Sequence, residues 1–210
     1  MRVIGRRNLV LSAGAAGLVA ACGGAAGGGG LTDDDVVLGD AAAPVTLIEY
    51  ASTTCPHCAT FHALMWDELK ANYIDTGKVR FVFREFPTDP AAVAVAGFQI
   101  ARCGGATPDQ YFVRVTELFR QQQATFASGT MDGIRRKLIE IGTATGLSEA
   151  QIEACINDPE GAARIRRIQD SSRAHNVTGT PTLVINGQNY AGVLTWEGLS
   201  AALDAAGAAG

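Results

Sequence analysis

Cys55-Pro56-His57-Cys58 stands where a β-branched apolar run gives way to a run of helical periodicity, and no other feature constrains the chain as tightly. Upstream, residues 45–51 (VTLIEYA) follow Pro44 and read as a buried strand. Downstream, Phe61, Leu64, Met65, Leu69 and Tyr73 recur at helical spacing up to Gly77, so an amphipathic helix is predicted over 56–76. Cys55 then falls at the helix N-terminus with Pro56 in the first turn, where a missing N–H costs nothing. The free N–H groups and positive dipole end of such a turn favour an anion. A thiol placed there is driven toward thiolate, its nucleophilic form, and a protonated His57 would add a second positive charge. Other uses of the pair fit less well. A structural zinc site wants four ligands, and only the distant Cys103 and Cys155 could complete it. A c-type haem site needs His directly after the second cysteine, where Ala59 stands. The motif therefore reads as redox-active.

The N-terminus says where such chemistry takes place. Arg6-Arg7 is followed by an uncharged apolar run from Leu9 to Ala21, ending in Val19-Ala20-Ala21-Cys22. That run is too short for a comfortable membrane span and has the layout of an export signal. The twin arginine is similar to a Tat address, and Cys22 after small residues resembles a lipobox cysteine, lipidated after cleavage. Residues 23–30 are Gly and Ala, a flexible tether. Export implies an oxidising compartment, the periplasm or cell envelope, where a disulfide persists. Without residues 1–30 about 180 remain, and the formal charge moves from −4 to −7 as Arg2, Arg6 and Arg7 leave. That is enough for one globular unit with an insertion, and the acidic balance argues against nucleic acid as a partner. No cofactor or metal is implied.

Three segments follow. Residues 36–38, 45–51 and 79–85 read as strands around the 56–76 helix, a βαβ unit with an added edge strand. Residues 91–103, 109–123, 131–145, 148–157 and 160–176 all read as helices, separated by Gly104-Gly105, Gly129, Gly146 and Pro159. Thr107 before Pro108, and Ser148 before Gln151, carry capping signals. Strands return at 182–185 and 188–191 around Asn186-Gly187, and Thr195 caps a last helix to about Ala206. The predicted class is α/β: a thioredoxin fold with an inserted all-helical domain. The expected division is 1–30 signal and tether, 31–88 with 177–210 thioredoxin-like, and 89–176 helical insertion.

Over residues 35–208 the sequence resembles the DsbA-like thiol–disulfide oxidoreductases of the bacterial cell envelope. The resemblance rests on Cys55-Pro56-His57-Cys58, on Glu49 six residues earlier, on the helical insertion, and on Gly179-Thr180-Pro181-Thr182 opening a strand. It implies a cis Thr180–Pro181 bond facing the cysteine pair, with Cys55 as attacking sulfur and Cys58 as buried resolving sulfur. It implies dithiol oxidation of unfolded or reduced exported proteins, a membrane-embedded partner that reoxidises the pair, and a monomer. Isomerase or reductase activity stays open, since threonine before the cis-proline also occurs in isomerases. A chaperone holding a soft metal such as Cu(I) between Cys55 and Cys58 is a third reading.

The remaining chemistry-bearing residues each have a plain alternative. Glu49 is a charge inside an apolar strand. It is either a buried carboxylate that relays the proton of Cys58, as the resemblance implies, or it turns to solvent and pairs with Lys78 or Arg84. Cys103 and Cys155 lie in the helical insertion and are expected to form a second disulfide, as in some relatives; two buried free thiols are the alternative. His62 and His175 read as surface or satisfied histidines with no partner that the sequence names. Arg102, Arg164, Arg166 and Arg167 read as solvated helix faces, and Tyr111, Phe112, Leu118 and Phe119 as core.

Overall fold

The computed structural model describes residues 30–209 together with Met1, so the twin arginine, the apolar run and Cys22 lie outside the described residues. The described strands are β1 (Val36–Leu38), β2 (Val45–Ala51), β3 (Val79–Glu85), β4 (Thr182–Ile185) and β5 (Gln188–Asn189). They form one sheet in the order β1-β3-β2-β4-β5. β2 and β3 run parallel, with Glu49 opposite Phe83 and Tyr50 opposite Arg84. The other three pairings are antiparallel. Helix α1 (Pro56–Leu69) connects β2 to β3, and α8 (Trp196–Leu203) follows β5.

Strand alternation assigns the two faces of the sheet. Val45, Leu47 and Ala51 join the main core with Phe81 and Phe83, while Ile48, Tyr50, Val82 and Val184 form a smaller cluster on the opposite face. Glu49 therefore shares the α1 face, in register with Leu47. Asn186 and Gly187, both at positive φ, make the β4–β5 turn, which matches the left-handed backbone a two-residue hairpin loop demands. The Asn186 side chain adds to it by accepting the Thr46 N–H at 2.8 Å.

Between β3 and β4 run α2 (Ala91–Arg102), α3 (Pro108–Arg120), α4 (Gln122–Phe126), α5 (Met131–Ala144), α6 (Glu149–Ile156) and α7 (Pro159–Ser171). Both expected caps are capping boxes: Thr107 with Gln110, and Ser148 with Gln151. Phe112, Phe119 and Ile141 of these helices belong to the same buried cluster as Phe81 and Phe83 of the sheet. The helical segment thus shares its core with the sheet.

Several element ends differ from the sequence expectation, among them the strand expected over 188–191, which ends at Asn189, and the last helix, which keeps α-geometry to Leu203. The helix predicted to 76 keeps α-geometry to Leu69 and finishes in a wider turn over residues 70–74, where the Asp75 N–H reaches back to the Lys70 carbonyl. The helix predicted over 109–123 breaks at Gln121. The one predicted over 160–176 ends at Ser171 in a 3-10 turn closed by Asn176 at φ 50°.

One side-chain expectation is corrected, and open alternatives for Glu49 and His175 are narrowed. Arg102 is not a solvated face: it donates to the Glu85 carboxylate at 2.7 Å, and Tyr111 donates to the same oxygen at 2.9 Å. Arg84 is not a partner of Glu49. It is fully buried on the opposite face, donating to Asp35 at 2.9 Å and to the Tyr50 hydroxyl at 2.7 Å. Tyr50 in turn bonds His175 at 2.8 Å, so His175 is a buried histidine rather than a surface one.

Candidate active site

Cys55 is the N-cap of α1, extended at φ −82° and ψ 117°, with Pro56 at the first helical position. Its Sγ accepts the Cys58 backbone N–H at 3.4 Å. Both cysteines are free thiols, and they differ in burial: Cys58 is fully enclosed, whereas Cys55 keeps a 7% opening to solvent. The Cys55 thiol is lowered from an ordinary 9.0 to about 5. The main cause is a hydrogen bond from the Cys58 thiol, against which desolvation works; the Thr180 side chain and the N–H groups of Cys58 and His57 add to it. His57 contributes through its backbone N–H, and its ring is exposed. Cys58 moves strongly the other way, because burial, the bond to Cys55 and the Glu49 charge all oppose its ionisation. One sulfur is a ready leaving group at neutral pH and its neighbour holds its proton.

The Thr180–Pro181 bond is cis, and the Thr180 carbonyl lies 3.3 Å from Cys55 Sγ. The turn before β4 is therefore brought against the start of α1 from 125 residues away in sequence. The loop behind Cys55 is held from two sides. The Ser52 hydroxyl accepts the Thr54 and Thr88 N–H groups, and the Thr54 hydroxyl donates to the Thr88 carbonyl at 2.9 Å. From the helical segment, Gln122 donates to the carbonyls of Thr53 at 2.8 Å and Cys55 at 3.1 Å. The helix break at Gln121 turns this side chain inward, which helical periodicity does not foretell. Gln122→Ala is expected to cost about 1–3 kcal/mol in a urea titration, since it orphans the buried Thr53 carbonyl and leaves that of Cys55 with the Ala59 N–H alone; a loss below the error of the titration would remove Gln122 from the loop's support.

Glu49 has no exposed surface, and its Oε2 meets His62 Nε2 at 3.0 Å. The alternative in which Glu49 turns outward to Lys78 or Arg84 is overturned, and so is a surface role for His62. The His62 ring stacks on Trp66 with centroids 5.1 Å apart and lies 4.3 Å from Phe119. The only signal in the sequence was helical spacing: His62 lies four residues after Cys58, hence on the same face of α1. Cys103 and Cys155 are joined as a disulfide that spans 52 residues and ties the end of α2 to α6. Among the described residues no cluster of three metal-ligating side chains occurs.

A sheet with two parallel central strands and antiparallel flanks, a C-x-x-C pair capping the first helix and a cis-proline opposite it together define a class. Residues 31–205 match the family model described as Thioredoxin. The chain belongs to the thioredoxin family, and within it is similar to the DsbA-like oxidoreductases.

Wolbachia pipientis alpha-DsbA1 superposes with a TM-score of 0.74 at 25% identity, covering 83% of this chain and 92% of that one. A Rickettsia prowazekii protein that carries the provisional name protein-disulfide oxidoreductase is 34% identical over 159 residues, 74% of this chain and 56% of that protein. Disulfide bond formation protein D of Bacillus subtilis is 23% identical over 150 residues, 71% of this chain and 67% of that protein. The chain thus spans little more than half the length of the rickettsial relatives it matches.

Proposed function

We propose that this chain is a protein-disulfide oxidoreductase that works as a dithiol oxidase on exported proteins. The observation that carries the reading is the asymmetry of the pair, an acidic Cys55 at the protein's rim against a buried, proton-holding Cys58. In the oxidised enzyme a substrate thiolate attacks Cys55 Sγ. The Cys55–Cys58 bond breaks, and Cys58 leaves with its electron pair and takes up a proton. A second substrate thiolate then attacks the substrate sulfur of the mixed disulfide, and Cys55 leaves as a stable thiolate. The substrate gives up two electrons and gains a disulfide, and the enzyme is left reduced. Stabilising that leaving thiolate makes the oxidised enzyme a strong donor of its disulfide.

In this reading Glu49 is the carboxylate that exchanges the proton of Cys58. The Thr180 backbone beside the cis-proline receives the substrate chain next to Cys55, with Pro181 holding it there. A membrane-embedded partner accepts the electrons and resets the pair. Arg6-Arg7 and the run to Ala21 direct export to the periplasm or cell envelope, where Cys22 anchors the protein through lipid. The protein acts as a monomer.

Two assays with ribonuclease test the direction. The oxidised protein is expected to oxidise reduced, unfolded ribonuclease quickly and to rescue scrambled ribonuclease poorly, because a monomer has no second subunit to clamp a misfolded client. The opposite ranking makes it an isomerase. Failure in both assays with tight Cu(I) binding by Cys55 and Cys58 makes it a metal carrier.

A further inference from the structure

Cys58 must gain a proton when it leaves and lose it when the pair is reoxidised, yet it is sealed from solvent. A proton that reaches Glu49 is no nearer to water, because Glu49 is equally sealed. His62 is the group that touches both Glu49 and a way out. Its Nε2 meets Glu49 Oε2 at 3.0 Å, and its side chain is 2% exposed. It also lines a cavity of about 530 Å³ bounded by α1, α3 and α4, with Thr60, Asp67, Phe119 and Arg120 among its walls. Glu49 Oε1 and His62 Nδ1 are both buried and accept or donate no hydrogen bond among the described residues. A pair that served only to satisfy two buried polar groups would leave fewer ends open. The His62 ring lines the cavity while Nδ1 itself is buried, so exchange between Nδ1 and cavity water needs a small movement of the ring, and the two unbonded ends are what a proton path needs.

We propose that His62 is a positioning residue of the thiol chemistry, which carries protons between the cavity and Glu49 and so connects buried Cys58 to solvent. When Cys58 leaves as a thiolate, it takes the proton of Glu49. Glu49 is reprotonated by His62 Nε2–H, and His62 Nδ1 takes a proton from cavity water. Reoxidation runs the same path backwards: Nδ1–H releases a proton to the cavity, Nε2 takes the proton of Glu49, and Glu49, now a carboxylate, accepts the proton of Cys58. One proton enters on reduction and one leaves on reoxidation, so the ring returns to its starting tautomer. The charged and titratable groups around the ring are few. Glu49 comes from β2, Cys58 and Asp67 from α1 and Arg120 from α3; α4 contributes the neutral Gln122 and Gln123, β3 places Phe83 against the ring, and Tyr111 of α3 feels the charge of Glu49. Trp66 and Phe119 hold the ring between them, so its orientation toward Glu49 does not depend on the hydrogen bond alone.

The inference rests on the reading of Glu49 as the carboxylate that serves Cys58, and the test separates the two. The full reduced chain is mixed with oxidised glutathione. The first step, capture of one glutathione by Cys55, is isolated with Cys58→Ala; the second, its release by Cys58, requires the Cys58 proton to leave. In His62→Gln and His62→Phe the second step is expected to slow by about tenfold or more, as for loss of a positioned acid–base group. It is also expected to rise in proportion to hydroxide, because solvent base alone then serves Cys58. A merely structural role would not produce that pH profile. His62→Phe retains the stack between Trp66 and Phe119 and carries the test if His62→Gln does not fold. The double variant Glu49→Gln/His62→Gln is expected to be no slower than Glu49→Gln, as for two groups on one path. A normal second step in both His62 variants, or independent slowing in the double variant, overturns the relay. If Glu49→Gln slows release while both His62 variants are normal, the relay alone falls. If Glu49→Gln is itself normal, the reading of Glu49 falls and the relay with it.

Discussion

Acidification from pH 7 to pH 4 is expected to remove about 3 kcal/mol of stability from the reduced protein that the disulfide form does not lose. The Cys55 midpoint of about 5 lies below the ordinary 9.0, so the folded reduced protein binds fewer protons than the unfolded chain between those values. A depressed acid contributes stability above its unfolded midpoint and loses it as pH falls through the folded one, here near 5. Oxidised protein has no Cys55 thiol to titrate and should lack the effect, as should Cys55→Ser. Cys58 has the opposite sign. Its folded form holds the proton more tightly than the unfolded chain does, so its contribution is present at neutral pH and fades as pH rises past the ordinary thiol range. Urea midpoints of both redox forms across this pH range read the difference directly, and ultraviolet thiolate absorbance of the reduced protein reads the Cys55 midpoint. An unshifted thiol titration would remove the basis of the oxidase reading, because Cys55 would then be a poor leaving group.

Replacement of Cys103 and Cys155 by alanine is expected to cost roughly 4 kcal/mol, the value chain entropy gives for a closed loop of this length. The bond joins the end of α2 to α6, two elements otherwise held by apolar packing around Ile100 and Ile152, both fully buried. Its removal should leave the Cys55 midpoint near 5, since no hydrogen bond to Cys55 comes from these elements. Urea unfolding of the double alanine variant, with Cys55 and Cys58 kept reduced in both proteins, measures the loss. A cost under about 1 kcal/mol would show that the unfolded chain is little constrained by this bond.

The legible parts of the molecule are those where neighbours in sequence supply the physics. β2, β3 and β4 start and end where the β-branched runs do, because each is a short apolar stretch bounded by Pro, Gly or a charged turn. The two capping boxes follow from spacing within one helical turn. Cys55 at a helix start needed only the change of period around it. Helix ends were less legible. The break at Gln121 has no glycine or proline, and its reward is a pair of hydrogen bonds to a loop some 67–69 residues away. Glu49 shows the limit from the other side. Its place on the α1 face follows from alternation in β2, but nothing local selects His62 over Lys78 or Arg84 as its partner.

The sequence by itself determined the strands, the placement of Cys55 at a helix N-terminus, the export-like N-terminal run and the family to which the chain belongs. The strands and the placement of Cys55 depend on periodicity and capping, which act within a few residues; the family came from resemblance. The resemblance implied Thr180 beside the cysteine pair, and the tertiary structure decided how it gets there and which other groups meet. Thr180 faces Cys55 because β4 pairs with β2, Arg84 is drawn to Asp35 on the far side of the sheet, and His62 rather than a lysine or arginine closes on Glu49. Such pairings are set by burial: a charge removed from water must find a partner within hydrogen-bond reach, and the packing of the core alone fixes which side chain is there.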